Sequence, residues 1–199
     1  EMKKLSEFTD EELALAYANG DNKAFDLLLS RNQTKLFSYI LFVVRDREKA
    51  EDIFQETFVK VISRLQQQRY VTSGKFGAWL IRIAHNIIMD SYRERRIENV
   101  IETPEDNNLT NISSDNLLEL NIENQYVNDQ VLEDVKKIMN LLPDTQREVV
   151  YMRYYQQLSF KEIAECTNVS INTALGRMRY AILNMRRMAR TQELDLELY

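Results

Sequence analysis

Helix-starting signals recur along almost the whole chain, and apolar residues with helical spacing follow them. Thr9 with Glu12, and Ser159 with Glu162, form capping boxes, in which each side chain satisfies a free backbone N–H at a helix start. Glycine and proline, which interrupt helices, number only 4 and 2. No alternating, strand-like runs stand out. We therefore predict an all-α fold.

The same signals predict the bounds of eight helices. Asp21, Asp46 and Ser170 are further N-cap residues, and Pro143 marks a helix start. The predicted helices cover about 10–19, 22–44, 47–66, 74–96, 127–141, 144–155, 160–167 and 171–190.

Charge divides the chain into four parts. Residues 1–96 hold 16 basic and 14 acidic side chains, a net charge of +2, and residues 97–130 hold none and 8, a net charge of −8. Residues 131–190 hold 10 and 6, which gives +4, and the tail 191–199 holds none and 3, which gives −3. We predict two small helical domains, 1–96 and 131–190, joined by a flexible acidic linker with one short helical turn near 116–122. The total of −5 does not exclude nucleic acid, because a polyanion responds to the local field.

Other features predict a soluble, cytoplasmic protein. The single cysteine, Cys166, cannot form an internal disulfide and reads as a small apolar filler on a helix. The first residues lack the apolar run of a signal peptide. The longest apolar run, 39–44, is too short to span a bilayer.

The predicted helix 47–66 has an acidic side. Its apolar stripe is formed by Ala50, Ile53, Phe54, Thr57, Phe58, Val61 and Ile62. Because positions three and four apart are neighbours on a helix, an opposite patch gathers Glu51, Asp52, Gln55 and Glu56. Such a patch either clasps a basic helix of a partner or is an ordinary solvated face.

The segment 74–96 is apolar enough for a core but ends in a run of arginines. Taken alone, it fits a core helix, a membrane-surface helix, or a helix that packs on one face and contacts nucleic acid on another. It carries the chain's only tryptophan, Trp79, and its only histidine, His85. We expect His85 to be partly exposed, and with no second histidine a zinc site is improbable.

Residues 159–182 have the pattern of a helix-turn-helix. Ile163 and Ala164 point inward on the first helix, Val169 is tucked into the turn, and Ile171, Ala174, Met178 and Ala181 are the predicted buried residues of the second helix. The outer face suits the major groove of DNA, because arginine reads guanine and hydroxyls or amides hold phosphates. A plain helical hairpin with a solvated face is the alternative. The outer face presents Asn172, Thr173, Gly176, Arg177, Arg179 and Tyr180.

Three stretches together carry a family resemblance. "AEDIFQETFVKV", then "KFGAWLIRIAHNIIMDSYRERR", then "LPDTQREVVYMRYYQQLSFKEIAECTNVSINTALGRMRYAI" closely resemble the bacterial RNA polymerase sigma factors of the extracytoplasmic-function (ECF) group. The resemblance covers about residues 20–96 and 131–190. It implies a region 2-like helical bundle for the −10 element and a region 4-like helix-turn-helix for the −35 element. It implies an alternative sigma factor that binds core polymerase, helps open the duplex and initiates transcription.

The resemblance also implies site residues and partners. Core polymerase would be held through its β′ coiled coil and β flap, and an anti-sigma factor is expected. Asp52, Gln55 and Glu56 would contact the β′ coiled coil. In the loop 68–75 and the helix after it, aromatic faces and cations suit an unstacked −10 strand. The implied −10 residues are Arg69, Tyr70, Lys75, Trp79, Arg82, Asn86 and Arg93, although Trp79 also fits a core anchor.

The resemblance is weaker at the −35 face. Leu175 stands where the family often has a polar or basic base reader, so it either touches a thymine methyl or faces the core, and the −35 sequence cannot be read. Asn168 replaces the commoner turn glycine and tolerates the left-handed conformation. The implied −35 residues are Asn172, Thr173, Leu175, Gly176, Arg177, Arg179 and Tyr180.

Two other functions compete with the sigma hypothesis. A stand-alone dimeric regulator would use only the C-terminal motif and bind an operator without polymerase. A helical adaptor would bind acidic proteins and protect no DNA. No catalytic constellation, phosphate loop or metal-ligand spacing is present in the sequence, so we expect no enzyme activity, no cofactor and no membrane insertion.

Overall fold

The computed structural model describes residues 4–70, 75–102 and 129–191. The described residues form one short 3₁₀ turn, Leu5–Glu7, and helices without strands, as the sequence predicts. They divide into two compact units, one within residues 1–120 and one within 121–199. The finer domain boundaries at 96, 130 and 190 stay predictions. The helices are α1 (Asp10–Ala18), α2 (Asn22–Val44), α3 (Arg47–Gln66), α4 (Phe76–Glu102), α5 (Asp129–Leu141), α6 (Asp144–Tyr154), α7 (Phe160–Thr167) and α8 (Ile171–Thr191).

Local capping fixes the helix starts of the N-terminal unit. Thr9 and Glu12 form the predicted capping box of α1. Asp21 accepts the N–H groups of Lys23 and Ala24 at the start of α2. Asp46 accepts the Lys49 N–H at the start of α3, and its hydrogen bond to the Lys49 ammonium lowers the pKa of the Asp46 carboxyl. The predicted caps of all three helices are confirmed.

The core of the N-terminal unit lies between α1, α2, α3 and α4, which all pack on one another. A run of aromatic rings links α1, α2 and α3, through Tyr17, Phe25, Phe58, Phe54 and Phe37, with ring centroids 4.7 to 6.4 Å apart. Aliphatic side chains fill the rest and stabilise the unit by removing apolar area from water. The fully buried ones include Leu13, Leu28, Leu36, Ile40, Leu65, Leu80, Ile83 and Ile88.

Helix α4 differs from the prediction at its end and at His85. It continues to Glu102, six residues beyond the predicted end at 96, and Pro104 follows, which disfavours helix at the residue before it. The rest of the predicted linker, with the turn near 116–122, lies outside the described residues. His85 was expected to be partly exposed, but it is only 5 % exposed, and its Nδ1 lies 3.5 Å from the Tyr39 hydroxyl. That expectation was wrong, because α4 packs against α1, α2 and α3.

The C-terminal unit packs α5, α6 and α7 against α8. Ser159 and Glu162 form the predicted capping box of α7, and Ser170 accepts the Thr173 N–H at the start of α8. Asn168 ends α7 with φ at 55°, the left-handed conformation expected from its sequence position. The local signals of the helix-turn-helix are therefore confirmed.

Most predicted buried positions of the helix-turn-helix are buried, but Val169 is only half-buried and Ile171 is exposed. Ile163, Ala164, Ala174, Met178 and Ala181 are buried, and so is Cys166. Ile171 is not: it is 47 % exposed. It is the first residue of α8, where no preceding turn covers it, so this prediction was wrong. Among the described residues, no helix is both long and apolar enough to cross a membrane.

Candidate functional site

The predicted acidic patch on α3 faces outward from the unit. Glu51, Asp52, Gln55 and Glu56 are all exposed, while the opposite side of α3 is buried in the unit at Ala50, Ile53, Thr57, Val61 and Leu65. Packing therefore leaves the patch available to another molecule.

The charges of this patch are only partly neutralised within α3. Arg47 Nε lies 3.1 Å from Glu51 Oε1, and Lys60 Nζ lies 2.8 Å from Glu56 Oε1. Asp52 forms no ion pair with any residue that the structure describes. Exposed pairs of this kind contribute little to stability. The patch thus keeps an uncompensated carboxylate at its centre, which suits a basic partner.

Helix α4 exposes only one narrow strip between Phe76 and Ile88. In this range Arg82 is the one fully exposed residue, and Gly77, Trp79 and Asn86 are half-buried. Trp79, Arg82, Asn86 and Arg93 follow one another at spacings of three, four and seven, so they share a face. The apolar side of α4 is buried in the unit at Phe76, Leu80, Ile83, Ala84, Ile87 and Ile88.

The cations of this strip differ in their partners. Arg82 forms no ion pair within the described part of the chain. Arg93 Nη1 lies 3.3 Å from Asp90 Oδ1. Arg69 and Lys75 are exposed on either side of residues 71–74, which lie outside the described residues. The structure thus brings three cations and a half-buried indole to the start and middle of α4.

Tyr70 does not offer the open ring face that its predicted stacking role needs. Its side chain is only 7 % exposed. Its ring centroid lies 5.6 Å from that of Phe76 and 4.9 Å from that of Trp79, and the rings of Phe76 and Trp79 are 5.6 Å apart. We call these three rings the aromatic cluster. A base can stack here only on the half-buried Trp79, so Tyr70 is corrected from a stacking surface to a support for the tryptophan.

The environment of Tyr70 keeps its hydroxyl neutral. Burial, reinforced by the negative charges of Glu11 and Asp10, raises the pKa of Tyr70 to about 12. The buried hydroxyl has no hydrogen-bond partner in the described structure. The ring of Tyr70 therefore packs as an apolar group, and the burial of its hydroxyl without a hydrogen-bond partner lowers the stability of the fold.

The outer face of α8 presents the predicted DNA-contacting residues together. Asn172, Thr173, Arg179 and Tyr180 are exposed, Tyr180 by 63 %. Gly176 and Arg177 are half-buried at the middle of the same face. The Ser170 and Thr173 hydroxyl oxygens are 2.8 Å apart, so Thr173 is held at the helix start.

Leu175 and Gly176 can now be placed. Leu175 is 43 % exposed, which removes the alternative that it faces the core. A Cβ added at Gly176 would meet nothing within 4 Å. The glycine therefore leaves open space on the outer face rather than allowing close helix packing.

The sequence interpretation missed a continuation of this face. Arg186, Arg187 and Arg190 line a cleft of about 400 Å³ with Leu183 and Thr191. These arginines follow Asn172, Gly176 and Arg179 at helical spacing. The helix carries five arginines and no acidic residue, and this uninterrupted charge was the available signal.

Two family models match the chain in the same order as the two units. Sigma-70 region 2 matches residues 28–97, and Sigma-70, region 4, matches residues 132–177. The first match contains α3 and most of α4, and the second contains the helix-turn-helix through Arg177.

Curated relatives match over most of their length. The RNA polymerase sigma-H factor of Pseudomonas aeruginosa is 29 % identical over 185 residues, which are 89 % of this chain and 94 % of the relative. The ECF RNA polymerase sigma factor SigW of Bacillus subtilis is 26 % identical over 176 residues, 86 % of this chain and 91 % of the relative.

Two solved structures share the fold. CnrH, solved in complex with the cytosolic domain of CnrY, superposes with a TM-score of 0.62 at 22 % identity, covering 92 % of this chain and 97 % of that one. The sigma factor RpoE from Bartonella quintana, solved with the anti-sigma factor NepR, gives a TM-score of 0.62 at 20 % identity, covering 87 % and 99 %.

Proposed function

The chain belongs to the sigma-70 family as an ECF RNA polymerase sigma factor, and we propose which of its surfaces carry that function. It is an alternative sigma factor that acts in promoter recognition and transcription initiation. A stand-alone regulator or an adaptor would not account for the match to region 2. The observation that carries the −10 assignment is the strip of α4 between Phe76 and Ile88, where Arg82 is the one exposed residue.

The α3 patch is the proposed contact with core polymerase. Asp52, Gln55 and Glu56 would meet the β′ coiled coil, and α8 with its unit would approach the β flap. An unpaired carboxylate flanked by an amide and a second carboxylate favours a basic helix, because arginine binds carboxylates through paired, charge-assisted hydrogen bonds. The exposure of all three residues supports this proposal.

The strip of α4 is the proposed −10 contact. Arg69, Lys75, Arg82 and Arg93 would hold the phosphates of a separated strand, and Asn86 would donate to or accept from a base edge. Trp79 offers the stacking face that single strands prefer. Tyr70 stays in the proposal only as the ring beneath Trp79.

The outer face of α8 is the proposed −35 contact. Arg177 and Arg179 suit guanine edges or phosphates, and Asn172 and Thr173 at the helix start suit phosphates. Leu175 is exposed and would touch a thymine methyl. Gly176 and Tyr180 complete the set.

Further partners follow from the family. An anti-sigma factor is proposed, since the Bartonella neighbour was solved with one. The chain would act in the cytoplasm, where core polymerase is, and would itself catalyse no reaction, since the polymerase performs the chemistry.

Reversing two charges of the α3 patch tests the polymerase contact. We expect Asp52→Lys with Glu56→Lys to weaken binding to core polymerase by about a hundredfold, because each carboxylate would be replaced by a cation facing a basic surface. Binding is measured with fluorescently labelled chain and purified core enzyme. Asp26→Lys, at an exposed acidic residue on α2, is the control for a charge reversal elsewhere on the same unit. Circular dichroism checks the helix content of each variant.

Two results separate a correct from an incorrect assignment. Loss of binding in the α3 variant with unchanged helix content and normal binding by the α2 control supports it. Equal binding by all three proteins would mean that the α3 patch is a solvated face.

A further inference from the structure

Four consecutive residues at the start of α1, Thr9 to Glu12, make contacts in different directions. Thr9 and Glu12 cap α1 itself, with the Thr9 N–H donating to Glu12 Oε2 at 2.7 Å. Asp10 joins α1 to α2, since its carboxylate accepts from Arg31 Nη1 at 3.2 Å and Asn32 Nδ2 at 2.8 Å. Glu11 turns to α4: its Oε1 accepts the Phe76 backbone N–H at 2.9 Å, across 65 residues of sequence.

In the described structure, a side chain of α1 caps the start of helix α4. The first N–H groups of a helix have no intrahelical partner, and the residue before α4 is Lys75, whose side chain only donates. The first turn of α4 carries no acidic residue. A carboxylate near a helix N-terminus is stabilising because it satisfies a donor and faces the positive end of the helix dipole. Glu11 supplies that carboxylate from another helix.

The capped residue belongs to the aromatic cluster. The rings of Phe76, Tyr70 and Trp79 contact one another at 4.9 to 5.6 Å. Tyr70 and Phe76 stand at the two ends of residues 71–75, and Glu11 is close enough to Tyr70 to act on it electrostatically. Fixing the Phe76 backbone therefore fixes the platform on which Trp79 rests.

We propose that Glu11 is a positioning residue for capture of the −10 strand. By accepting the Phe76 N–H it holds the start of α4 and the aromatic cluster in one arrangement, so that Trp79 and Arg82 face the separated strand together. This inference rests on the proposed −10 role of the α4 strip. It adds α1 to that role, although α1 lies outside the region 2 match, which begins at residue 28.

Two substitutions of similar shape distinguish the effect of the hydrogen bond between Glu11 and the Phe76 N–H from the effect of side-chain packing at Glu11. Glu11→Gln keeps an acceptor oxygen, whereas Glu11→Met keeps the length and the helix propensity but offers only a weak sulfur acceptor. Glu12→Met is the matched control: it also removes a capping carboxylate, but from the start of α1 and not from the start of α4, so it shows what the loss of a cap alone does. Arg82→Ala is the comparator for direct loss of a strand contact.

The assay is duplex opening by the holoenzyme on a promoter fragment found by run-off transcription. Reactivity of −10 thymines to permanganate measures the open fraction at saturating holoenzyme. We expect Glu11→Met to lower opening about fivefold, as losing a helix cap does to a local equilibrium. Glu11→Gln and Glu12→Met should stay within about twofold of the unchanged protein. Affinity for core polymerase should not change in any of them.

A second readout is independent of DNA. Trp79 is the only tryptophan in the chain, so its fluorescence reports on the aromatic cluster alone. Glu11→Met should increase quenching of Trp79 by acrylamide, and Glu12→Met should not. In the unchanged protein, the hydrogen of the Phe76 amide should exchange slowly with solvent. This measurement needs no variant, so it tests the inference even if Glu11→Met fails to fold.

The outcomes distinguish this inference from the proposed function. Normal opening by Glu11→Met, with poor opening by Arg82→Ala, would overturn the role of Glu11 and leave the −10 assignment standing. Normal opening by both variants would overturn the −10 assignment itself. Fast exchange of the Phe76 amide in the unchanged protein would also overturn the role of Glu11.

Discussion

Tyr70 shows how one residue can match a sequence pattern and still act differently in the folded protein. An aromatic residue beside two cations predicts a stacking surface, and Arg69 and Lys75 are indeed exposed. The ring of Tyr70, however, is covered by Phe76 and Trp79. Periodicity cannot predict this burial, because Tyr70 lies after α3 has ended and before α4 has begun. Only the tertiary contact of the three rings decides it.

The buried hydroxyl of Tyr70 should contribute nothing to the free energy of unfolding, and its removal tests this. Because it has no hydrogen-bond partner in the described structure, Tyr70→Phe should leave the free energy of unfolding unchanged or raise it by about 1 kcal/mol. Urea unfolding followed by Trp79 fluorescence measures this. A loss of more than about 1 kcal/mol would mean that the hydroxyl is satisfied in solution.

The raised pKa of Tyr70 implies that the stability of the protein depends on pH in the alkaline range. Its pKa is raised to about 12, above the ordinary value near 10 of an unfolded chain. The neutral form is therefore favoured by folding, and this stabilisation is complete below about pH 10 and is lost as the pH rises toward 12. Tyr70→Phe should remove this part of the alkaline destabilisation. The free energy of unfolding of the unchanged protein and of Tyr70→Phe is measured between about pH 9.5 and 11.5. If the two proteins lose stability equally over this range, to within ~0.3 kcal/mol, the prediction is contradicted.

At the scale of the helix, local sequence signals predicted where helices begin better than where they end or which residues they contact. The capping boxes at Thr9 and Ser159 and the left-handed Asn168 were readable, because each depends on residues within one turn. The end of α4 was set six residues too early, because the acidic, asparagine-bearing residues after 96 do not by themselves stop a helix. The burial of His85 and the reach of Glu11 to Phe76 depend on residues tens of positions away, so sequence patterns could not predict them.

Helix α8 makes a prediction about DNA binding. Each phosphate contact that is lost lowers the slope of log affinity against log salt by about 0.9. We expect Arg179→Ala to lower the slope for holoenzyme binding to a promoter by about one such contact, or, if Arg179 reads a base instead, to relax specificity. The slope is obtained by measuring the affinity of the holoenzyme for promoter DNA at several salt concentrations between about 50 and 200 mM.

Arg190 supplies the matched control for that prediction. It shares the outer face with Arg179 but lies eleven positions further along α8, about 16 Å along the axis. Arg190→Ala should leave the specificity unchanged and should change the salt slope less than Arg179→Ala does, because Arg190 lies about three helical turns beyond Tyr180, the last of the proposed −35 residues. If Arg190→Ala changes the slope and Arg179→Ala does not, the −35 contact lies on the C-terminal half of the helix.

At the scale of the whole molecule, the chain consists of two compact units with their own cores. The N-terminal unit carries the acidic α3 patch and the basic strip of α4, and the C-terminal unit carries α8 with five arginines. A net charge of −5 therefore conceals surfaces of both signs, each suited to a different macromolecule. Fold class and unit order were predictable from patterning, whereas the partners of individual charges were not.

Run-off transcription tests the central claim most directly, namely that this chain directs core polymerase to particular promoters. Purified core enzyme is given a library of genomic fragments with and without the chain. The account predicts discrete transcripts that appear only with the chain and that share sequences about 10 and 35 positions upstream of their starts. Unchanged polymerase products, together with specific binding of fragments by the chain alone, would contradict it.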